Sequence, residues 1–423
     1  MNVRFRQLVV FALVFVSIPA TVMASGQAAA EVEEAEPVTI TFWGHNFAPV
    51  VKMYEGIIEK FQEEYPHITV EYHQKAGAQY AELFLQAFAA NSSPDAFRVG
   101  DWIIAEFIRD GAIAPLDLSA FSASSAAEVE DRFMPGTLEP FVRGGDLYAI
   151  PESINTLRLY VNMGHMREAG YSNVPSDSAG WVEAKKKMTV VEGDRWTRSG
   201  FEWKYNHELW DLIQFTGVLR SFGTRIYGSD GKLALDKAKT TAALKYYYDS
   251  IHTHKFANPD FATSAGGNFP DGFFSTAIAG AYWVPTVERK GIVTDWTSAT
   301  WITGSQPSSM RWSWCLGVSS QSEQKSAAST LVAFMTDPDV QTIREEAGNS
   351  TGLKGWESLE SIQKNPKIRP WYEAMATATY VDSLADYAKA TIALSTVLQE
   401  IAFAGLEPEA AYDKLYGQLS AIE

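Results

Sequence analysis

Trp43 and Asn46 stand at the end of the first strand-like run, Val38 to Trp43, and Asp101 follows the third, Pro94 to Val99. The carboxyl ends of strands are where open α/β sheets receive small ligands. Farther along, Tyr282 and Trp283 follow Gly280 at the end of an apolar run, and Trp312 and Trp314 stand two residues apart. On an extended backbone that last pair shares one face. Flat aromatic rings stack on apolar C–H surfaces, and nearby amides and carboxylates bond hydroxyls. Such a set would hold a polyhydroxylated ring without making or breaking a bond. Each residue also has an ordinary structural role open to it: Trp43 as core packing under the first helix, Asn46 as a turn cap, Asp101 as the cap of a helix opening at Trp102, and the tryptophan pair as interior packing. If Tyr282 and Trp283 are extended they point to opposite faces, and only one lines a site. Thirteen Trp and eighteen Tyr exceed what folding alone usually asks for, which favours some of them lining a pocket.

Bond-making chemistry finds less support. Gly348-Asn349-Ser350-Thr351-Gly352 matches the G-x-S-x-G pattern, but a helix-like segment, Asp339 to Ala347, precedes it where a nucleophile elbow needs a strand. That hydrolase order also requires a histidine after the serine, and the last one is His254. The segment reads as a helix-ending loop. His252 and His254 are two apart, which puts them on different faces of a helix, so the histidines form no metal cluster. No phosphate-binding glycine loop is present. A glycosidase needs two carboxylates at a suitable separation, and 51 acidic residues mark no particular pair.

The elements that must position these side chains alternate in type. Val50, Met53, Tyr54, Ile57, Ile58, Phe61 and Tyr65 keep helical spacing between Pro49 and Pro66. A second strand, Ile68 to Tyr72, follows, then a helix over Ala78 to Ala90 and the third strand. Strands and helices alternating at this pace predict an α/β fold with a mostly parallel sheet. The middle is richer in helix, with Glu208 to Phe222 and Lys237 to His252 the clearest.

Arg4 and Arg6, the apolar run Leu8 to Ala20 and Val22-Met23-Ala24 read as a signal peptide over residues 1–24. Residues 25–37 read as a flexible acidic leader. The only cysteine, Cys315, is not at the cleavage site, so no lipid tether is expected, and it reads as a small buried apolar residue. Export without a tether predicts the periplasm. The net charge of −16 becomes more negative once the two signal arginines leave, which argues against nucleic acid as a partner.

The order of several segments carries a resemblance. Ile40 to Trp43, Ile58 to Val70, Pro94-Asp95, Gly111 to Asp117, Leu147 to Pro151 with Asn162 downstream, Phe222-Gly223 with Gly231-Lys232, Phe274 to Gly280 and Asp337 to Gln341 follow one another. In that order the chain resembles the extracellular solute-binding proteins of ABC importers, in particular the sugar-binding family that includes maltose-binding protein. The resemblance implies a two-lobed periplasmic-binding-protein-like fold, one lobe taking residues 38–150 plus 315–360 and the other 155–310 plus 365–423. Crossings would fall near Pro151–Ile154, Arg311–Trp314 and Ser361–Lys364, with a ligand cleft closing by a hinge.

The same resemblance implies cleft positions for Trp43, for Tyr80 at the start of the second helix, for Asn155 at the first crossing and for Trp210 at a helix start. It also puts a stacking aromatic after Gly280, hence Tyr282 or Trp283. Where the family often has small glycines this chain has Arg311-Trp312-Ser313-Trp314, which implies a narrower or more aromatic pocket. No cofactor is implied. The partners would be a mono- or oligosaccharide and the membrane permease subunits, with the binding protein a monomer. A non-sugar or anionic solute, a sensor role and a secreted carbohydrate-active enzyme remain as alternatives.

Overall fold

The computed structural model describes residues 36–46, 48–75, 80–205, 207–228, 231–346, 350–382 and 386–422; the expected signal peptide and nearly all of the leader lie outside them. The elements that bear on the site are β1 (Val38–His45), α1 (Ala48–Glu64), β2 (Ile68–Lys75), α2 (Tyr80–Ala89), β3 (Ala96–Gly100), α3 (Asp101–Arg109), β4 (Ile113–Ala114), β5 (Ala149–Thr156), β6 (Arg158–Asn162), α4 (Glu208–Ser221), β7 (Thr276–Ala279), β8 (Trp296–Ala299), β9 (Met310–Ser319), α5 (Pro338–Glu346), β10 (Thr379–Tyr380) and α6 (Tyr387–Gln399).

In β1, Ile40, Phe42 and Gly44 are buried while the residues between them are less so, the alternation of a strand with one face on a core. α1 covers that face with Met53, Tyr54, Ile57, Ile58 and Phe61, all buried. Gly44 is required by this close approach: a Cβ there would lie 2.8 Å from the Tyr72 ring and 2.9 Å from the Tyr54 ring.

β1 runs parallel to β2 and to β3, the expected crossover arrangement. The expectation of a mostly parallel sheet fails beyond these three strands. The ten-residue β9 runs antiparallel to β3, β4 and β5 and parallel only to the two-residue β10. β9 returns from the far end of the chain, so no local βαβ crossover dictates its direction. A separate sheet, in the order β7-β6-β8, is antiparallel throughout.

Two large hydrophobic cores result. One draws on residues 40–150 and 315–353, the other on 157–301, Met310 and 381–419. A smaller cluster gathers Tyr160, Phe269, Trp296 and Trp371, and another gathers Ile154, Trp356, Ile362 and Tyr372. Trp312, Leu209 and Tyr387 pack against both large cores. The segment of the crossing expected near Ser361–Lys364 is helical, Glu360–Lys364. The late segment that pairs alongside β9 is β10.

An ionic cluster crosses the first core. Glu152 on β5, 2 % exposed, accepts from the Tyr54 hydroxyl at 2.7 and 2.6 Å and from Arg344 Nη1 at 2.8 Å, and it pairs with Arg98 Nε. Burial opposes ionisation of Glu152, yet Arg344, Arg98 and the tyrosine hydroxyl together hold its carboxyl below the usual range. One carboxylate thereby ties α1, β3, β5 and α5 together.

Glu152→Gln strands two buried guanidinium groups, so unfolding free energy should fall by about 3–5 kcal/mol, measured by denaturant titration. Because the native pKa is depressed, the ionic contribution is complete above the ordinary value of 4.5 and is lost as pH falls through the native one. Below that pH the wild type should therefore lose stability more steeply than the variant. Equal stability of the two proteins at pH 7 would refute this account of the cluster.

Candidate functional site

The site is built outward from β9. Residues paired across an antiparallel ladder share a face, and Trp314 pairs with Ser153 and with Gly100, Trp312 with Asn155. Trp102, the second residue of α3, folds back over β3: its ring centroid is 4.8 Å from that of Trp314 in an edge-to-face contact and 5.8 Å from that of Trp312. Trp312 and Trp314 are themselves 6.2 Å apart at 73°. This return needs Gly100, where a Cβ would sit 2.3 Å from the Trp102 ring. The three indoles form an aromatic corner on one face of β9.

Arg98 braces the corner. Its guanidinium lies 3.8 Å from the Trp314 ring centroid while its Nε pairs with Glu152, so the buried cluster orients the ring. His45, at the end of β1, meets the Trp314 ring edge-on at 6.3 Å. Burial, helped by the Arg98 charge, lowers the His45 pKa to about 4, so the imidazole is neutral at pH 7.

On the other flank, Asn155 leads to Gly280 and Tyr282. A Cβ on Gly280 would lie 2.6 Å from the Tyr282 ring and 3.3 Å from Asn155 Oδ1, so only glycine permits this approach. The Tyr282 hydroxyl and Trp312 Nε1 are buried without a hydrogen-bond partner among the described residues, and both are donors. Stacking surfaces, two donors and one amide can hold a flat polyhydroxylated molecule.

Of the residues expected from sequence, Asn155, Tyr282, Trp312 and Trp314 come together here. Tyr282 and Trp283 do not lie in an extended segment: β7 ends at Ala279, and Ala281–Trp283 is a 3-10 turn. Strand alternation therefore does not apply to the pair, and both side chains pack against the third cluster. Trp283 stacks at 13° on Phe269 and packs by Tyr160, within the smaller third cluster.

The remaining four expected residues, with Trp43, fall elsewhere. Trp43 is half-buried against the first core with the Lys75 ammonium 4.0 Å over its ring. Asn46 is exposed just past β1, its N–H bonded to the Lys75 carbonyl. Tyr80 is buried, its hydroxyl donating to the Trp43 carbonyl at 2.5 Å and accepting from the Arg98 N–H at 3.0 Å. Trp210, on α4, packs on the second core.

Asp101 does not cap a helix opening at Trp102. α3 already includes it, Gly100 is the cap residue, and Asp101 Oδ1 accepts from the Ser313 N–H at 2.9 Å. It lines a cavity with Arg311.

Trp102 and Arg98 carry no mark in the sequence, and His45 is marked only by its place at the end of the first strand. Trp102 reads as the apolar start of a helix, and Arg98 sits inside a strand. The G-x-S-x-G segment follows helix α5; Gly348 and Asn349 lie outside the described residues, and the Ser350 carbonyl accepts from the Ile154 N–H at 2.9 Å. Cys315 is fully buried.

With this geometry in hand, comparison with known proteins decides the family. Residues 47–342 match the model of the bacterial extracellular solute-binding proteins. The chain belongs to that family. An arabinooligosaccharide-binding protein of Bacillus subtilis (strain 168) is 21 % identical over 250 residues, 58 % of this chain and 55 % of that protein. The matched stretch thus spans about half the length of that relative.

Among solved structures, the GacH receptor of Streptomyces glaucescens GLA.O, determined unliganded and with acarbose, superposes with a TM-score of 0.77 at 20 % identity, over 91 % of this chain and 98 % of that one. UgpB from Mycobacterium tuberculosis, in complex with glycerophosphocholine, gives a TM-score of 0.78 at 20 % identity, over 91 % and 98 %. The fold of this solute-binding protein is accordingly the two-lobed α/β architecture of its structural neighbours.

Burial raises the Asp101 pKa to about 7. A raised native pKa makes its contribution to stability complete below the ordinary value of 3.8 and lost as pH rises through about 7. Asp101→Asn keeps an acceptor for the Ser313 N–H and removes the titration. The melting temperature of the variant relative to wild type should therefore climb between pH 4 and pH 8. A difference that stays flat across that range would contradict the assignment.

Proposed function

We propose that this protein captures a carbohydrate between its two lobes in the periplasm and delivers it to the membrane permease of an ABC importer, without chemical turnover. The observation that carries the reading is the aromatic corner of Trp102, Trp312 and Trp314 joined to Asn155 and Tyr282. It combines stacking faces with unpaired donors and an amide, the recognition set of a neutral polyhydroxylated ring. The neutral His45 suits an uncharged guest. The arabinooligosaccharide-binding relative and the acarbose-bound neighbour support the same ligand class.

In this reading the lobes comprise residues 38–150 plus 315–360 and 155–310 plus 365–423. The separation of the two large cores supports that division, as do Trp312, Leu209 and Tyr387, which touch both. Closure is a population shift driven by ligand contacts to both lobes. Trp43, Asn46, Tyr80, Asp101, Trp210 and Trp283 are secondary candidates that closure would have to recruit. Residues 1–24 act as the export signal, and the mature protein works as a monomer with no cofactor.

A thermal-shift screen of the mature chain against arabinooligosaccharides, maltooligosaccharides and monosaccharides should return at least one stabilising sugar, since ligand at 100 times Kd adds about 2.7 kcal/mol. Trp312→Ala should then weaken that sugar at least tenfold, about 1.4 kcal/mol, with the sugar recovered intact after incubation. Hydrolysis of the sugar, or full affinity in both Trp312→Ala and Asn155→Ala, would sink the proposal.

A further inference from the structure

On the opposite side of β9 from the indoles lies a cavity of about 950 Å³, and five arginines line it: Arg109, Arg143, Arg220, Arg225 and Arg311. Such a concentration is unusual in a chain of net charge −16. Three carboxylates share the lining, and two are already engaged. Asp382 is held by Arg220 and Arg225 and by the Ile226 N–H at 2.8 Å. Asp101 accepts from the Ser313 N–H. Glu139 is the third.

Arg311 is the decisive residue. It is 7 % exposed, and its guanidinium lies 4.3 Å over the Tyr380 ring while Nη2 donates to the Gly136 carbonyl at 2.8 Å. It has no carboxylate within ion-pair distance among the described residues, and its Nε is buried without a partner. The Asp101 carboxylate acts on this charge from beyond ion-pair distance, and with the buried Nε unsatisfied among the described residues an acid group bound beside it would lower the cost of burying the cation. The Nε atoms of Arg220 and Arg225 are likewise buried and unpartnered. Arg143, exposed, donates among the described residues to its neighbour's carbonyl, that of Val142, at 2.7 Å.

We propose that this cavity is a second binding site, separate from the aromatic corner, for a small anion bearing two or more carboxylate or phosphate groups. A cavity of about 950 Å³ has room for a molecule with several acid groups, and Arg311 and Arg143 both line it. Planar guanidinium forks suit both acid types bidentately.

Isothermal titration of the mature protein in low salt, with citrate in one arm and pyrophosphate in the other, tests the site and tells carboxylate from phosphate preference. At least one anion should bind saturably and raise the melting temperature. Arg311→Gln should weaken it at least tenfold, and Arg143→Gln, at an exposed position that folding does not depend on, about threefold or more. Trp312→Ala should leave anion affinity unchanged. Absence of binding by both anions at millimolar concentration, wild-type affinity in Arg143→Gln and Arg311→Gln, or loss of binding in Trp312→Ala would each overturn the proposal.

Discussion

The carboxylate of Glu152 does more to organise this protein than any aromatic ring. It sits on a fully buried strand and accepts from a tyrosine on α1, an arginine on β3 and an arginine on α5. Two guanidinium groups against one carboxylate leave excess positive charge inside the lobe. Aromatic faces take up part of it: Arg98 lies over Trp314, and Arg344 lies 5.4 Å from the Tyr54 ring centroid. The charge balance of the core and the orientation of the site are therefore one problem with one solution. Arg98 is the hinge of that argument, because it faces Glu152 on one side and the indole on the other.

The strand β9 turns this local bracing into an architecture. Its ten residues pair with β3, β4, β5 and β10. The alternation of its side chains sends Trp312 and Trp314 to one face and Arg311 and Ser313 to the other. One face is aromatic and braced by the Arg98 guanidinium; the other opens on arginines and carboxylates. A strand of period two thus separates two chemical environments by the thickness of a backbone. The indoles and the arginine-lined cavity draw on alternate side chains of one strand.

Much of the fold was legible before any coordinates. The α1 stripe, the parallel β1, β2 and β3, the helices Glu208–Ser221 and Lys237–His252, and the shared face of Trp312 and Trp314 follow from periodicity and punctuation. The site was legible only in part. Asn155, Tyr282, Trp312 and Trp314 were visible as residue types suited to stacking and hydrogen bonding. Trp102 was not, because an indole at a helix start looks like packing until Gly100 lets it fold back over the strand. Tyr80 differs in kind: the sequence marks it as a cleft candidate at a helix start, and here its hydroxyl already bonds two backbone groups.

Composition, local pattern and segment order determined the α/β class, the first lobe's opening and the aromatic chemistry of the site, because these depend on neighbours in the chain. The direction of β9, the engagement of Asp101 by a backbone N–H 212 residues away, and the joining of Arg98 to Glu152 and Trp314 were decided only in three dimensions. Those contacts are set by packing between distant segments, where burial and charge pairing are fixed jointly and no local spacing records the partner.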